Sequence, residues 1–424
     1  MRVLFASTHG AGHFSPLVPF ARACEDAGHE VLVAAPPRIA EMVTAHGFAF
    51  WQLDDPSEER MGPVWSRVPS LSPDEANAVV IGEIFGRLNT EATLPRMHEA
   101  FASFAPDVVV REANQYSGAL LAEEAGIPHA CVGIGLAEVE ALGRQLAAGP
   151  LDDVRRAMGL ASDPDGTWLR EAPYLTTFPA SFEPAPIPNT LRFRDERCTR
   201  PRPDGPRPWG EDGRPLVYLT LGTVTGMLDA AQHAYDIVLE AVAGLPVSVL
   251  MTVGPGPELE RFADAPANVE VLRWLPQEDV LPWADAVVCH GGSGSTTGAL
   301  AAGVPLVVMP MFADQPQNAA RVAAAGAGIA VTGHEPAPVR AAVERLLAEP
   351  SYGKAARRVA GEVAGHAHLR DAVALLEEFA ARAARQPLTS WERLTSVVMG
   401  RVSNPAWERR RTCPRAPRKC RPAA

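Results

Sequence analysis

Two series of short apolar runs, each run alternating with a segment of helical period, fill most of this chain, and a stretch crowded with prolines separates them. In the first series, residues 2–7, 30–35, 47–53, 107–110 and 129–134 read as strands. Helices are expected at 16–27, 38–46 and 117–126, with a long helical stretch near 73–104. The second series begins at 217–221 and continues through 247–253, 269–272, 286–289 and 305–309, with helical patterning at 336–348 and 352–384. Apolar strands joined by helices pair in parallel, because a parallel connection must cross over and its helix then covers a face of the sheet. The pattern therefore predicts an α/β chain with two similar halves, although no direct sequence repeat links them.

Prolines at 184, 186, 188, 201, 203, 206, 208 and 215 are incompatible with helix or central strand, so 184–215 reads as a connection between the halves. The expected organisation is a first domain at 1–200, a Pro-rich linker at 201–215 and a second domain at 216–384, whose final helices return toward the first. The last 24 residues hold eight Arg or Lys against one acid, and 385–424 reads as a basic, disordered tail. The chain as a whole carries −11, which argues against nucleic-acid binding. Of six cysteines, Cys24, Cys131 and Cys289 lie in apolar runs and read as small core residues, while Cys413 and Cys420 lack a second ligand pair for zinc. Residues 2–6 are too short for a signal segment, and no run reaches the roughly 18 apolar residues of a membrane span, so a cytoplasmic protein is expected. Residues 54–72, with their prolines and charges, read as an irregular insertion serving either as a binding loop or as a plain surface loop.

Chemistry concentrates after the strands of the second half. The strand at 286–289 runs into His290, Gly291, Gly292, Ser293, Gly294, Ser295, Thr296 and Thr297, and a helix follows at 298–302. Glycines let backbone N–H groups close on a phosphate and the helix adds its positive end, yet the same loop would serve as a tight turn. It is neither a Walker A loop nor the dinucleotide fingerprint. Upstream, Trp274, Leu275, Pro276 and Gln277 follow a strand end, where Trp274 either stacks on a base or packs into the core. Downstream, Asp314 and Gln315 offer an acceptor and an amide for sugar hydroxyls, or else cap the next helix.

The joint spacing of WLPQ, HGGSGSTTGAL and FADQPQNA resembles the donor signature of GT-B, family 1 glycosyltransferases, especially the bacterial enzymes that tailor macrolide and enediyne-type antibiotics. The resemblance covers roughly residues 1 to 384. It implies two Rossmann-like domains facing each other across a cleft, a nucleoside diphosphate sugar as donor, and no metal. By that similarity Trp274 stacks on the base, Leu275 contacts it through backbone, and Gln277 lies by the nucleoside. His290, Gly292, Ser293, Gly294 and Ser295 would surround the diphosphate, Asp314 and Gln315 would hold the sugar, and Gly222 and Thr223 would face phosphates and sugar. One position departs from the pattern. Many members carry a Glu eight residues after the His, on the ribose hydroxyls, where this chain has Gly298. A 2-deoxyribose lacks one of those hydroxyls, so the departure points to a dTDP-linked donor.

The loop at 8–16 contains His9 and His13, and His13 matches the family's Gly-His-x-x-Pro base. Imidazole suits the deprotonation of an alcohol near neutrality, so transfer would be a single displacement with inversion. Relatives place an acid just after the strand at 106–110, which makes Glu112 the partner of His13 and leaves Arg111 as an ion partner or wall. Asp163-Pro164-Asp165 is the one spelling that a metal-dependent transferase would want, and it reads as a polar turn. Phe14, Met61, Trp65 and Phe85, with Trp51, offer apolar surface for a hydrophobic aglycone. The protein is expected to act as a monomer or homodimer. A sugar-nucleotide epimerase or hydrolase of the same fold, and a catalytically idle partner of an active transferase, are the competing readings.

Overall fold

The computed structural model describes residues 1–383 except 184, 186, 211–212, 226–228, 255–256 and 334. The expected basic tail at 385–424, with Cys413 and Cys420, lies outside the described residues. Among the described residues, fourteen strands form two sheets. They are β1 (Arg2–Ala6), β2 (Glu30–Ala35), β3 (Ala49–Gln52), β4 (Val108–Glu112), β5 (His129–Val132), β6 (Tyr174–Thr176) and β7 (Thr190–Arg194) in the first half. β8 (Leu216–Thr220), β9 (Ser248–Thr252), β10 (Val269–Leu272), β11 (Ala286–Cys289), β12 (Leu306–Val308) and β13 (Gly328–Ala330) follow, and β14 (Ala367–His368) comes last. The first sheet has the order β14-β7-β6-β5-β4-β1-β2-β3 and the second β10-β9-β8-β11-β12-β13. Every pairing is parallel, as the continuous apolar runs require.

Each sheet reverses its strand order once, between β1 and β4 in the first half and between β8 and β11 in the second. Loops leaving the carboxyl ends of two such strands diverge to opposite sides and open a crevice. The chain therefore makes two crevices, one beneath His13 and one beneath His290.

Alternation along β1 divides the first core. Val3 and Phe5 face the helices Val18–Asp26 and Leu369–Ala383, while Leu4 and Ala6 face Thr90–Phe104 and Ser117–Glu124. The helix Leu369–Ala383 buries Leu369, Val373, Leu375, Leu376 and Phe379 in the first half's core, on the order of 10 kcal/mol of transfer free energy before its ordering cost. Leu136, Phe178 and Phe182 from the first half share an apolar cluster with Val280, Leu281 and Leu300 of the second. Ser181 N donates to Glu362 Oε1 at 3.0 Å across the same junction.

Several elements differ from expectation. Residues 54–72 are not irregular: they form the helix Glu58–Trp65, with two acids in its first turn, and a short 3₁₀ turn at Val68–Ser70. Within the proline stretch, β7 pairs with β6 on one side and β14 on the other. No proline falls between 189 and 200, so a strand fits between the clusters. β4 runs on through Arg111 and Glu112, two charged residues buried in a central strand. The 21-residue helix Ala137–Ala157 escaped notice because Gly143, Gly149 and Pro150 interrupt its period. The stretch expected as helix near 73–104 contains a π-helix at Val79–Asn89.

Candidate active site

The loop after β1 closes through Gly10 into the helix Ala11–Phe14, which carries His13 on its cleft side. One step further round the helix, Phe14 points the opposite way and is fully buried against His46 and Phe48. The expectation that Phe14 lines the acceptor site is therefore corrected: it is core.

His13 Nδ1 stands 3.3 Å from Glu112 Oε2, with the imidazole side chain 22% exposed and the carboxylate sealed. The contact is long for a hydrogen bond, and such pairs shorten as charge develops on the ring. Three donors hold the carboxylate. Thr8 N and Thr8 Oγ1 donate to Oε1 at 3.1 and 2.8 Å, and Asn114 N donates to Oε2 at 2.7 Å. Burial opposes the charged form of both partners, yet the mutual attraction wins. The His13 pKa is raised, against burial, by Glu112 and then by Glu140 and Asp314. The Glu112 pKa is lowered, against burial, by His13, Asn114 and Thr8. Because Nδ1 faces the acid, the neutral ring keeps its proton there and presents a free Nε2 to the cleft. His9, half-buried, is held below the usual value by burial and by His13, which leaves it neutral. Arg111 turns inward and donates to the carbonyls of Glu112 and Ala113 at 3.0 Å each, so it braces the loop after β4 as a structural cation.

In the second half, His290 follows β11 and its ring is wedged between two backbone segments. A Cβ on Gly292 would lie 2.3 Å from His290 Nε2, and one on Gly222, whose φ is +77°, would lie 2.7 Å from Cε1. Only glycine fits at either place. Burial pushes the His290 pKa down to about 4, despite Asp314 and the Thr220 carbonyl, so the ring is neutral and contributes an N–H rather than a charge. The helix Ser293–Ala301 starts three residues later, inside the stretch expected as loop. Ser293, Gly294 and Ser295 are its first turn, and no side chain caps it. Its leading N–H groups are thus available to an anion. Thr223 lies in the turn Gly222–Thr225, against Gly254.

Asp314 does not cap the helix Gln315–Ala324. Its Oδ2 accepts from Ser293 Oγ at 2.7 Å and Asn318 Nδ2 at 2.9 Å. Gln315 is largely committed to its own loop, for Oε1 accepts from Met311 N and Phe312 N at 2.8 and 3.1 Å. Only its amide nitrogen remains for a ligand. Trp274 is 58% exposed, which removes the core-aromatic alternative, while Leu275 packs at the edge of the second core. Gln277 Nε2 donates to Gly294 O at 3.2 Å, and its side chain fills the space above Gly298, where a Cβ would meet it at 2.7 Å.

Both halves meet at this point. A Cβ on Gly135, in the loop after β5, would lie 3.7 Å from Asp314 Oδ2 and 3.9 Å from Ser293 Oγ. His13, Glu112, Asp314 and Ser293 thus belong to one cleft. Phe85, on the π-helix, sets its ring 5.5 Å from that of His13 and makes an apolar wall. Met61 and the 46% exposed Trp65 lie on the helix Glu58–Trp65, which packs on that π-helix. Trp51 is committed elsewhere, since its indole donates to Arg96 O at 3.0 Å and its ring packs on the core of Leu4, Leu32 and Met97. Asp163 Oδ2 accepts from Trp168 N at 3.0 Å and closes a turn. A cavity of about 550 Å³ at the amino ends of β1 and β4, lined by Met1, His29, Asp107 and Glu377, lies at the opposite end of the sheet from His13.

Two residues escaped the sequence reading. Asn318 is fully buried, and its Nδ2 reaches Gly291 O at 2.8 Å, Ser293 Oγ at 3.3 Å and Asp314 Oδ2, tying loop, helix and acid together. Its place four residues after Asp314, on the same helical face, was the available signal. Glu140 has no such signal. Burial lifts its carboxyl to about 7, against the Tyr174 hydroxyl, Arg144 and the N–H groups of Gly135 and Ile134.

Comparison with known proteins gives the family and agrees with the fold. Residues 236–379 match the family described as Erythromycin biosynthesis protein CIII-like, C-terminal domain. The L-demethylnoviosyl transferase of Streptomyces niveus is 32% identical over 371 residues, 85% of this chain and 94% of its own length. The 10-deoxymethynolide desosaminyltransferase of Streptomyces venezuelae is 30% identical over 91% of this chain and 99% of its own. The structure of the glycosyltransferase SsfS6 from Streptomyces sp. SF2575, complexed with thymidine diphosphate, superposes with a TM-score of 0.70 at 29% identity, covering 89% of this chain and 99% of that one. The chain belongs to the GT-B glycosyltransferases that tailor antibiotics.

Proposed function

We propose that the protein moves a deoxysugar from a dTDP-linked donor to a hydroxyl of a hydrophobic aglycone, with inversion and without a bound metal, as a cytoplasmic enzyme. The observation that carries this reading is the His13–Glu112 pair set across one cleft from Asp314 and the uncapped helix Ser293–Ala301. His13 Nε2 takes the acceptor's hydroxyl proton while that oxygen attacks the anomeric carbon. The bond from that carbon to the diphosphate breaks, and dTDP leaves with the electron pair. Leading N–H groups of the helix and the His290 N–H receive the charge that develops there. Asp314 and the Gln315 amide hold sugar hydroxyls, and Trp274 stacks on the base.

Support for thymidine comes from Gly298, which offers no carboxylate to a ribose, and from Gln277 lying over it. The thymidine diphosphate in the related SsfS6 structure points the same way. For the aglycone, support comes from the wall of Phe85, Met61 and Trp65. His13→Ala should lower transfer by about 10²–10⁴-fold and leave dTDP affinity within about twofold. Retained turnover would remove His13 from the role of base. A panel of dTDP- and UDP-sugars against several aglycones, read by mass spectrometry, tests the donor, and a strong UDP preference would overturn it.

A further inference from the structure

Building on the reading that Asp314 holds the donor sugar, we propose that Glu140 is a positioning residue for sugar transfer, fastening the loop at 133–136 against Asp314 and Ser293. Glu140 lies in the first turn of the helix Ala137–Ala157, where a negative group is favoured. Its Oε1 accepts from Ile134 N at 2.5 Å and Gly135 N at 2.7 Å. Gly135 brings this loop beside the sugar-holding acid, for a Cβ there would lie in van der Waals contact with Asp314 Oδ2 and Ser293 Oγ. The next residue, Leu136, is buried in the second half's apolar cluster, so the loop is anchored on both sides of the cleft.

Glu138, two residues earlier, pairs with Arg321 on the helix Gln315–Ala324 at 2.5 Å. The ion pair holds helix to helix at the rim, while Glu140 sets the height of the loop itself. Gly133 and Gly135 leave no side chain between that loop and its neighbours; a Cβ on Gly133 would meet the Tyr174 hydroxyl at 2.2 Å. A carboxylate sealed from water beneath two backbone donors fixes Ile134 and Gly135, while Leu136 anchors the end of the loop. The distance between the anomeric carbon, held from the second half, and His13, held from the first, then depends on how far Glu140 reaches.

Two conservative variants separate reach from charge. Glu140→Gln keeps a carbonyl oxygen at the same reach and loses the charge. Glu140→Asp keeps the charge and falls short by one methylene. On this proposal Glu140→Asp lowers kcat for transfer by about tenfold to hundredfold and increases the share of donor lost to water, with dTDP affinity within about twofold. Glu140→Gln stays within about threefold of the parent enzyme. A Glu140→Asp enzyme with normal kcat, or a Glu140→Gln enzyme as slow as Glu140→Asp, overturns the proposal. Asp314→Ala in the same assay distinguishes the two levels. Unchanged turnover there overturns the assignment of Asp314, whereas a normal Glu140→Asp enzyme beside an impaired Asp314→Ala enzyme overturns the role of Glu140 alone.

Discussion

Replacing Glu112 with Gln removes one charge and almost no volume, which isolates the electrostatic half of the His13–Glu112 pair. At 3.3 Å and an effective dielectric of about 20, full opposite charges attract by about 5 kcal/mol. That figure caps the possible rate loss between about 10³- and 10⁴-fold, since about 1.4 kcal/mol is worth a factor of ten. Only part of the imidazolium charge exists when the acceptor proton is in flight, so about 10²–10³-fold is expected in kcat. A second effect acts in the same direction. The Gln amide must keep an oxygen on Thr8 N and Oγ1, which turns its NH₂ toward Asn114 N and His13 Nδ1. Donor then faces donor, and the ring is driven to the tautomer with its proton on Nε2, where it cannot act as a base.

The pH profile carries the sharper test. In the parent enzyme the His13 pKa is raised because Glu112, with Glu140 and Asp314, outweighs burial. His13 must be neutral to act, so kcat/KM should fall as pH drops through that raised value. Without the Glu112 charge, burial is no longer outweighed by its main opponent, and the acid limb moves to lower pH. Product formation followed by chromatography from pH 5 to 9, with dTDP binding by calorimetry as a control, reads both effects. An acid limb that stays in place or moves to higher pH, or a loss below about tenfold in kcat, would refute the reasoning.

Asn318→Ala breaks three buried contacts and leaves Asp314 Oδ2 with Ser293 alone, so urea unfolding should show a loss of about 2–4 kcal/mol, together with a raised KM for the donor sugar. Trp274 is exposed and packs against little, so Trp274→Ala should leave stability within about 0.5 kcal/mol while weakening dTDP by about 1–3 kcal/mol in calorimetry; unchanged affinity removes it from the base site.

Most strands were legible because parallel strands buried on both faces are written as continuous apolar runs, and β1, β2, β8, β9 and β11 all fit that form. β6, β13 and β14 are three residues or fewer and owe their existence to a neighbouring strand, so no local pattern marks them. The donor side was legible for a similar reason. Its glycines, hydroxyls and Trp274 sit within about forty residues of one another, and Gly291 and Gly292 leave no room for a Cβ. The acceptor side was harder to read. A four-residue helix sends His13 to the cleft and Phe14 to the core, and nothing in a Gly-His-Phe spelling decides which side chain goes where.

By itself the sequence determined that two halves with parallel strands would form and that 290–297 would link a strand to a helix through glycines and hydroxyls. These follow from period, composition and short spacings, which are properties of neighbouring residues. Tertiary structure alone decided that Thr8, 104 positions before Glu112, holds that carboxylate, and that the loop at Gly135 comes beside Asp314. It alone decided that Glu140 is buried beneath the loop that brings the halves together. Electrostatics and packing act through space, and the pKa of His13 depends on acids from β4, from the helix Ala137–Ala157 and from the second half, which no stretch of chain contains together.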